Sequence, residues 1–127
     1  MTTKTETHNK AVIYAARDLI ENGISTISGI HRGVDLITTD GQKILVRGKS
    51  NAGDIPIMNG TLDTLKADCV VIVTNMEYNY SKKMYIMTME DAKRVAVNQP
   101  YKVSGRNNYF IKPEDYTDHQ GDYNILK

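Results

Sequence analysis

The chain has 127 residues, a length typical of one domain built around one hydrophobic core. Its 16 basic and 15 acidic side chains give a net charge of +1, so the total charge argues neither for nor against a nucleic-acid partner. One cysteine, Cys69, excludes an internal disulfide, and no apolar run approaches the ~18 residues of a membrane span. The first ten residues lack the apolar core of a signal peptide, so we expect a cytoplasmic protein without membrane contact.

The charge is unevenly distributed along the chain. Residues 1–75 hold eight basic and eight acidic side chains, whereas residues 76–112 hold seven basic against three acidic ones. Seven of the eight tyrosines lie at or beyond position 78. A basic, tyrosine-rich segment is typical of surfaces that bind phosphates and stack on bases, and the alternative is a solvated face of a sheet.

The first predicted element is a helix over residues 8–22. Apolar residues recur at three- and four-residue spacing from Ala11 to Leu19, which is the period of an amphipathic helix. Thr7 is a candidate N-cap for this helix, and Gly23 suits the left-handed position that follows a helix.

The clearest turn signal is Asp40-Gly41, which separates β-branched runs at residues 33–39 and 42–49. A two-residue loop would mix charged and apolar side chains on both faces of the hairpin. A three-residue loop, with the glycine in the left-handed region, pairs Leu36 with Ile44 and segregates the faces. We therefore predict the three-residue loop. It places Val34, Leu36, Ile44 and Val46 on the core face, and Asp35, Arg47 and Lys49 on the other.

The remaining segments alternate between strand and helix patterns. The predicted elements are a short strand within 24–30, a polar loop over 50–60, a short helix over 61–68, a buried central strand at 69–74, a strand at 83–88, a helix over 90–97 capped by Thr88, and a strand at 108–111. This order predicts a single α/β domain over residues 1–127, with a mixed β-sheet flanked by helices. We expect residues 1–7 and the acidic segment 113–127 to be loose.

The residues around the hairpin resemble a known nuclease pattern. Gly33-Val34-Asp35-Leu36-Ile37, Lys49 late in the next strand and Ala67-Asp68-Cys69-Val70-Val71 are similar in order and spacing to the PD-(D/E)XK nuclease superfamily. The resemblance covers roughly residues 8–112. It implies a restriction-endonuclease-like fold and Mg²⁺-dependent cleavage of a phosphodiester, with Asp35 and Lys49 as catalytic residues and Asp35 as a metal ligand.

One position departs from the family pattern. Where the family has an acid or an amide two residues before the lysine, this chain has Arg47, whose guanidinium cannot ligate Mg²⁺ and repels it. The first helix has no carboxylate over residues 11–16, and Asp54 in the following loop is the candidate replacement ligand. Because Mg²⁺ is usually held by one or two carboxylates, we expect weak metal binding and poor or absent cleavage.

Three functions remain open from the sequence. The first is a nuclease-fold protein that engages nucleic acid, DNA in preference to RNA, with weakened or lost cleavage. The second is an active Mg²⁺-dependent endonuclease that uses Asp54, and the third is an immunity or regulatory module with a protein partner. The candidate nucleic-acid-binding residues are Arg47, Lys82, Lys83 and Arg106.

Each candidate also has a purely structural explanation. Asp35 can simply pair with Arg47 across the hairpin. Cys69 fits a small core residue. The three histidines, His8, His31 and His119, have no metal-ligand spacing, and none is assigned a role by the sequence.

Overall fold

The computed structural model describes residues 4–29, 33–77 and 82–127. Over these ranges it contains three α-helices, a five-stranded mixed sheet and a three-stranded sheet, which confirms the expected α/β class with a mixed sheet. The elements are α1 (Lys4–Glu21), β1 (Thr26–Ser28), β2 (Leu36–Thr38), β3 (Lys43–Gly48), β4 (Ile55–Asn59), β5 (Cys69–Thr74), β6 (Lys83–Thr88), α2 (Met89–Val95), β7 (Val97–Asn98), β8 (Asn108–Ile111) and α3 (Pro113–Tyr116), with 3-10 turns at Leu62–Thr64, Thr117–His119 and Tyr123–Leu126.

The main sheet has five strands in the order β1-β2-β3-β5-β6. The β3–β5 pair is parallel and the other pairs are antiparallel. Every residue of β5 is buried, so the prediction of a central strand at 69–74 is confirmed. The family pattern has a helix between the hairpin and this strand, whereas the chain crosses over through β4 and a 3-10 turn.

The hairpin has the predicted register. Leu36 pairs with Ile44 and Ile37 with Lys43. The turn closes with a hydrogen bond of 2.9 Å from the Gly41 amide to the Thr38 carbonyl, and Gly41 has a φ of +90°. The three-residue loop with a left-handed glycine is therefore confirmed.

Helix α1 covers one face of the main sheet. Its buried stripe of Ala11, Ala15 and Leu19 packs against the apolar side chains of β2, β3 and β5. The helix begins at Lys4, earlier than expected, so Thr7 lies inside it and the predicted N-cap there is wrong. The extra turn is helical because it carries no breaking residue and places Glu6 where the helix dipole favours an acid.

A three-stranded antiparallel sheet, ordered β4-β8-β7, covers the opposite face. The predicted polar loop over 50–60 is wrong in its second half, which forms β4. Ile55 and Ile57 are fully buried on either side of Pro56. Proline is tolerated there because β4 is an edge strand, and its register shifts between Pro56 and Met58.

The second half of the chain follows its predicted order more closely. The strand at 83–88 is β6, and the Thr88 hydroxyl accepts a hydrogen bond of 3.1 Å from the Asp91 amide as the predicted cap of α2. The strand at 108–111 is β8. The predicted helix over 61–68 is reduced to the 3-10 turn Leu62–Thr64. None of the helices in the described ranges is long and apolar enough to cross a membrane.

The acidic C-terminal segment is packed, which corrects the expectation of a loose tail. Tyr116 and Leu126 are buried, one in each core. The Tyr116 hydroxyl donates to the Gly53 carbonyl at 2.8 Å, and the Tyr123 hydroxyl donates to the Asp18 carboxylate on α1. These apolar and tyrosine side chains anchor a segment whose acidic residues suggested solvation.

Candidate functional site

An open groove of about 1440 Å³ passes the carboxyl end of β3. It lies between the start of α1 and the β4–β8 pair of the second sheet. Its lining includes the polar and charged side chains of His8, Asp35, Arg47, Lys49, Arg106 and Asn108. The volume exceeds the roughly 300–1,000 Å³ of small-molecule pockets, so the groove suits an extended ligand.

Gly48 brings α1 onto the end of β3. A Cβ atom at this position would lie 2.5 Å from the Ala11 Cβ and 3.3 Å from the Thr7 carbonyl oxygen. Only a glycine permits this approach without a shift of the backbone. The start of α1 therefore sits against β3 between Arg47 and Lys49, and His8 reaches the groove.

Asp35 joins α1 to the hairpin. One carboxylate oxygen accepts the Val46 backbone N–H at 2.8 Å, and the other is 3.0 Å from His8 Nε2. The carboxylate lies just before β2 begins, so it satisfies an amide of β3 that β2 does not pair. Within the described residues the His8 imidazole is the side chain that contacts the Asp35 carboxylate, and the alternative of a simple Asp35–Arg47 pair is not observed.

The two hairpin cations are held by neutral carbonyl groups. Arg47 donates to the carbonyls of Ile57 at 3.1 Å and Val46 at 3.2 Å, and Lys49 donates to the Asp54 carbonyl at 2.7 Å. Burial lowers the pKa of the Arg47 guanidinium from its ordinary value, and the charge of Asp35 acts in the opposite direction. In the part of the chain that the structure describes, neither cation forms a salt bridge with a carboxylate.

The other predicted binding residues divide into two groups. Arg106 lines the groove together with Arg47 and Lys49. Lys82 instead lies 5.9 Å above the Tyr14 ring of α1, and Lys83 is exposed at the start of β6. Neither of these lysines is part of the groove lining.

His8 is the site residue that the sequence prediction missed. The predicted helix begins at position 8 with Thr7 as its cap, which leaves the first turn without an assigned role. The signal was present, because His8 continues the Ala11, Ala15 and Leu19 stripe backwards by three residues. A helix that begins earlier places this imidazole at the sheet.

The donor set does not fit the Mg²⁺ site that the resemblance implies. Among the described residues no group of three or more His, Cys, Asp or Glu side chains converges. Asp35 already accepts two hydrogen bonds and has Arg47 beside it, and the Asp54 carboxylate is 3.4 Å from the Gln99 amide nitrogen. A hard dication needs more oxygen ligands than this arrangement supplies.

The groove carries a local surplus of positive charge. Among the described lining residues Arg47, Lys49 and Arg106 stand against Asp35, a surplus of two in a chain whose net charge is +1. Tyr101, which is 43% exposed, and Phe110 add aromatic surface to the same lining. No protein-family model and no curated protein sequence matches this chain.

Proposed function

We propose that the groove binds the phosphodiester backbone of a nucleic acid, and that Mg²⁺-dependent cleavage there is weak or absent. The observation that carries the proposal is the set of three cations, Arg47, Lys49 and Arg106, that stand against a single carboxylate among the described lining residues. Neutralised phosphates release condensed counterions, and this release supplies sequence-independent affinity.

The hydrogen bonds of the two hairpin cations leave their charge available to a phosphate, while the contact of Arg47 with the Ile57 carbonyl also joins β3 to β4. Arg47 and Lys49 are oriented by carbonyl groups, which fix their positions without cancelling their charge. A guanidinium and an ammonium in adjacent positions suit phosphate oxygens, the first as a fork and the second as a point charge. This arrangement is pre-ordered and needs little rearrangement on binding.

The aromatic lining favours a strand with accessible bases. Tyr101 and Phe110 line the groove together with Arg106. Base–aromatic stacking contributes roughly 1–3 kcal/mol per base and tolerates any sequence. Single strands are therefore expected to bind more tightly than a duplex of the same length.

Fluorescence anisotropy with labelled single-stranded DNA, duplex DNA and RNA, measured in EDTA over a series of salt concentrations, tests the proposal. We expect log K to fall linearly with log[salt]. Lys49→Gln and Arg106→Gln should each reduce the magnitude of the slope by roughly 0.7–0.9 per lost phosphate contact. Arg94→Gln is the matched control, because Arg94 is exposed on α2 and paired with Asp91, away from the groove.

Two results would contradict the proposal. One is an absence of binding to all three probes at low salt, which would favour the protein-partner alternative. The other is an equal loss for Arg94→Gln and the groove variants, which would place binding elsewhere or make it a general effect of charge.

A further inference from the structure

We propose that His8, oriented by Asp35, is the general base for metal-independent cleavage of RNA in this groove. The inference rests on the proposed function, because the RNA backbone must first occupy the groove. It starts from the donor set around Asp35. Where Mg²⁺ would need another oxygen ligand, the chain presents the His8 imidazole.

The hydrogen bonds of Asp35 define which nitrogen of His8 carries a proton. An ionised carboxylate only accepts, and Asp35 already accepts the Val46 amide. With an ionised Asp35, His8 Nε2 is the donor of this contact, so an imidazole that carries a single proton has its lone pair on Nδ1. The His8 side chain is 36% exposed and lines the groove, so the imidazole is within reach of a strand bound there.

Asp35 meets the requirements of a positioning residue. Its side chain is 19% exposed and is fixed at one end by the β3 backbone. A carboxylate held in this way orients the imidazole and stabilises the imidazolium that forms when the base takes a proton. The pair thus needs no metal ion to hold its geometry.

The chemistry points to RNA as the substrate. Without a metal-activated hydroxide, the accessible nucleophile is one already tethered to the phosphate, and intramolecular attack has a large entropic advantage. The 2′-hydroxyl of RNA is such a nucleophile, and DNA lacks it. DNA would then be bound without being cut.

The reaction balances with groups present in the groove and water. His8 Nδ1 takes the 2′-hydroxyl proton as the O2′–P bond forms, and the P–O5′ bond breaks. The departing 5′ oxygen takes a proton from water, and His8 returns its proton to solvent. The products are a 2′,3′-cyclic phosphate and a 5′-hydroxyl. Arg47 and Lys49 stabilise the charge that develops on the phosphorane oxygens.

The test compares RNA with 2′-O-methyl RNA of the same sequence, in EDTA. We expect the RNA to be cleaved to a cyclic-phosphate end and the methylated strand to be bound without cleavage. His8→Ala should reduce the cleavage rate by roughly 10²–10⁴-fold. Its affinity for 2′-O-methyl RNA should fall far less than its cleavage rate does, and added imidazole should restore part of the rate.

Two further variants separate catalysis from folding. His119→Ala is the matched control, because His119 is also 3.4 Å from an aspartate, Asp122, but does not line the groove. It should cleave as the wild type does. Asp35→Asn should lower kcat with little change in affinity for the methylated strand, a split that simple destabilisation of the fold does not produce.

The outcomes for the two proposals differ. Binding of 2′-O-methyl RNA without cleavage of RNA would overturn this inference and leave the proposed function intact. Cleavage that is lost in EDTA, or that persists in a folded His8→Ala preparation, would also overturn it. Failure to bind either strand would overturn the proposed function itself. If His8→Ala does not fold, the wild-type comparison in EDTA still tests whether cleavage is independent of metal, and a normal kcat of Asp35→Asn would overturn the role of the His8–Asp35 pair.

Discussion

Arg47 is the residue at which this chain departs most from a metal-dependent nuclease. Its side chain extends from β3 to the Ile57 carbonyl on β4, so it connects the two sheets as well as lining the groove. Its partly buried charge stands beside Asp35, the one carboxylate among the described lining residues. One side chain thus supplies a charge for the phosphate that we propose as ligand, and the same charge makes the groove a poor site for a dication.

Substitution of Arg47 tests whether its positive charge is what prevents Mg²⁺ binding in the groove. Arg47→Glu supplies the missing carboxylate and removes the repulsion, so we expect Mg²⁺ binding to strengthen and Mg²⁺-dependent nicking of plasmid DNA to appear or increase. Calorimetric titration and a nicking assay measure the two effects. Arg47→Gln, which removes the charge and adds an amide oxygen, should give a smaller increase. Robust Mg²⁺-dependent cleavage by the wild type that requires Asp35 and Lys49 would show that Arg47 does not disable the site.

The elements that the sequence predicts correctly depend on local signals. The hairpin register follows from the glycine turn and the segregation of faces, and the strand at 69–74 follows from its unbroken β-branched run. Strand β4 was missed because Pro56 argues against a strand unless its partner is known. The tail was missed for a similar reason, since its buried contacts are made with distant parts of the chain.

The candidate site follows the same rule: the sequence predicts the parts that depend on local patterns and not the contacts between distant segments. The alternation of side chains along the strand places Arg47 and Lys49 on one face, and the basic segment 76–112 contains Arg106. Lys82 and Lys83 belong to the same basic segment but lie outside the groove, because charge along the sequence does not specify a face of the fold. The His8–Asp35 contact required the true start of α1, which local propensity did not determine.

The contact between α1 and β3 gives an element-scale prediction. Gly48→Ala places a Cβ only 2.5 Å from the Ala11 Cβ, so the helix must shift away from the strand. We expect a loss of about 1–3 kcal/mol in the free energy of unfolding, typical of overpacking, measured by urea denaturation. The nucleic-acid binding and RNA cleavage that we propose for the groove should also weaken, because His8 moves with the helix. Gly41→Ala is a useful contrast, since it strains the turn at φ +90° without touching α1. If Gly41→Ala weakened binding in the groove as much as Gly48→Ala does, the contact between α1 and β3 would not be what positions His8.

At the scale of the whole molecule, the two cores contain a thiol and tyrosine hydroxyls that lose their protons only at alkaline pH. Burial raises the pKa of Cys69, from 9.0 to about 11, and the nearby charge of Asp68 adds to this effect. Burial also raises the pKa of Tyr116 and Tyr123, and the hydrogen bond to Asp18 adds to the effect at Tyr123. These side chains lie on both faces of the main sheet, so their ionisation opposes the packing of both layers.

The protein should therefore lose stability as the pH becomes alkaline. The first part of this loss comes mainly from Cys69, whose ordinary pKa of 9.0 is lower than that of the tyrosines. A group whose pKa is higher in the folded state than in the unfolded state stabilises the fold fully at pH values below its unfolded pKa. This stabilisation is lost as the pH rises from the unfolded pKa to the folded pKa. For Cys69 the window runs from pH 9 to about 11, and two pKa units correspond to about 3 kcal/mol. Urea denaturation with a reductant present, at pH 8 to 11, should therefore show a steeper decline for the wild type than for Cys69→Ala. The decline that remains in the variant belongs to the tyrosines. Parallel pH profiles for the two proteins would show that the thiol ionises as easily in the folded state as in the unfolded one.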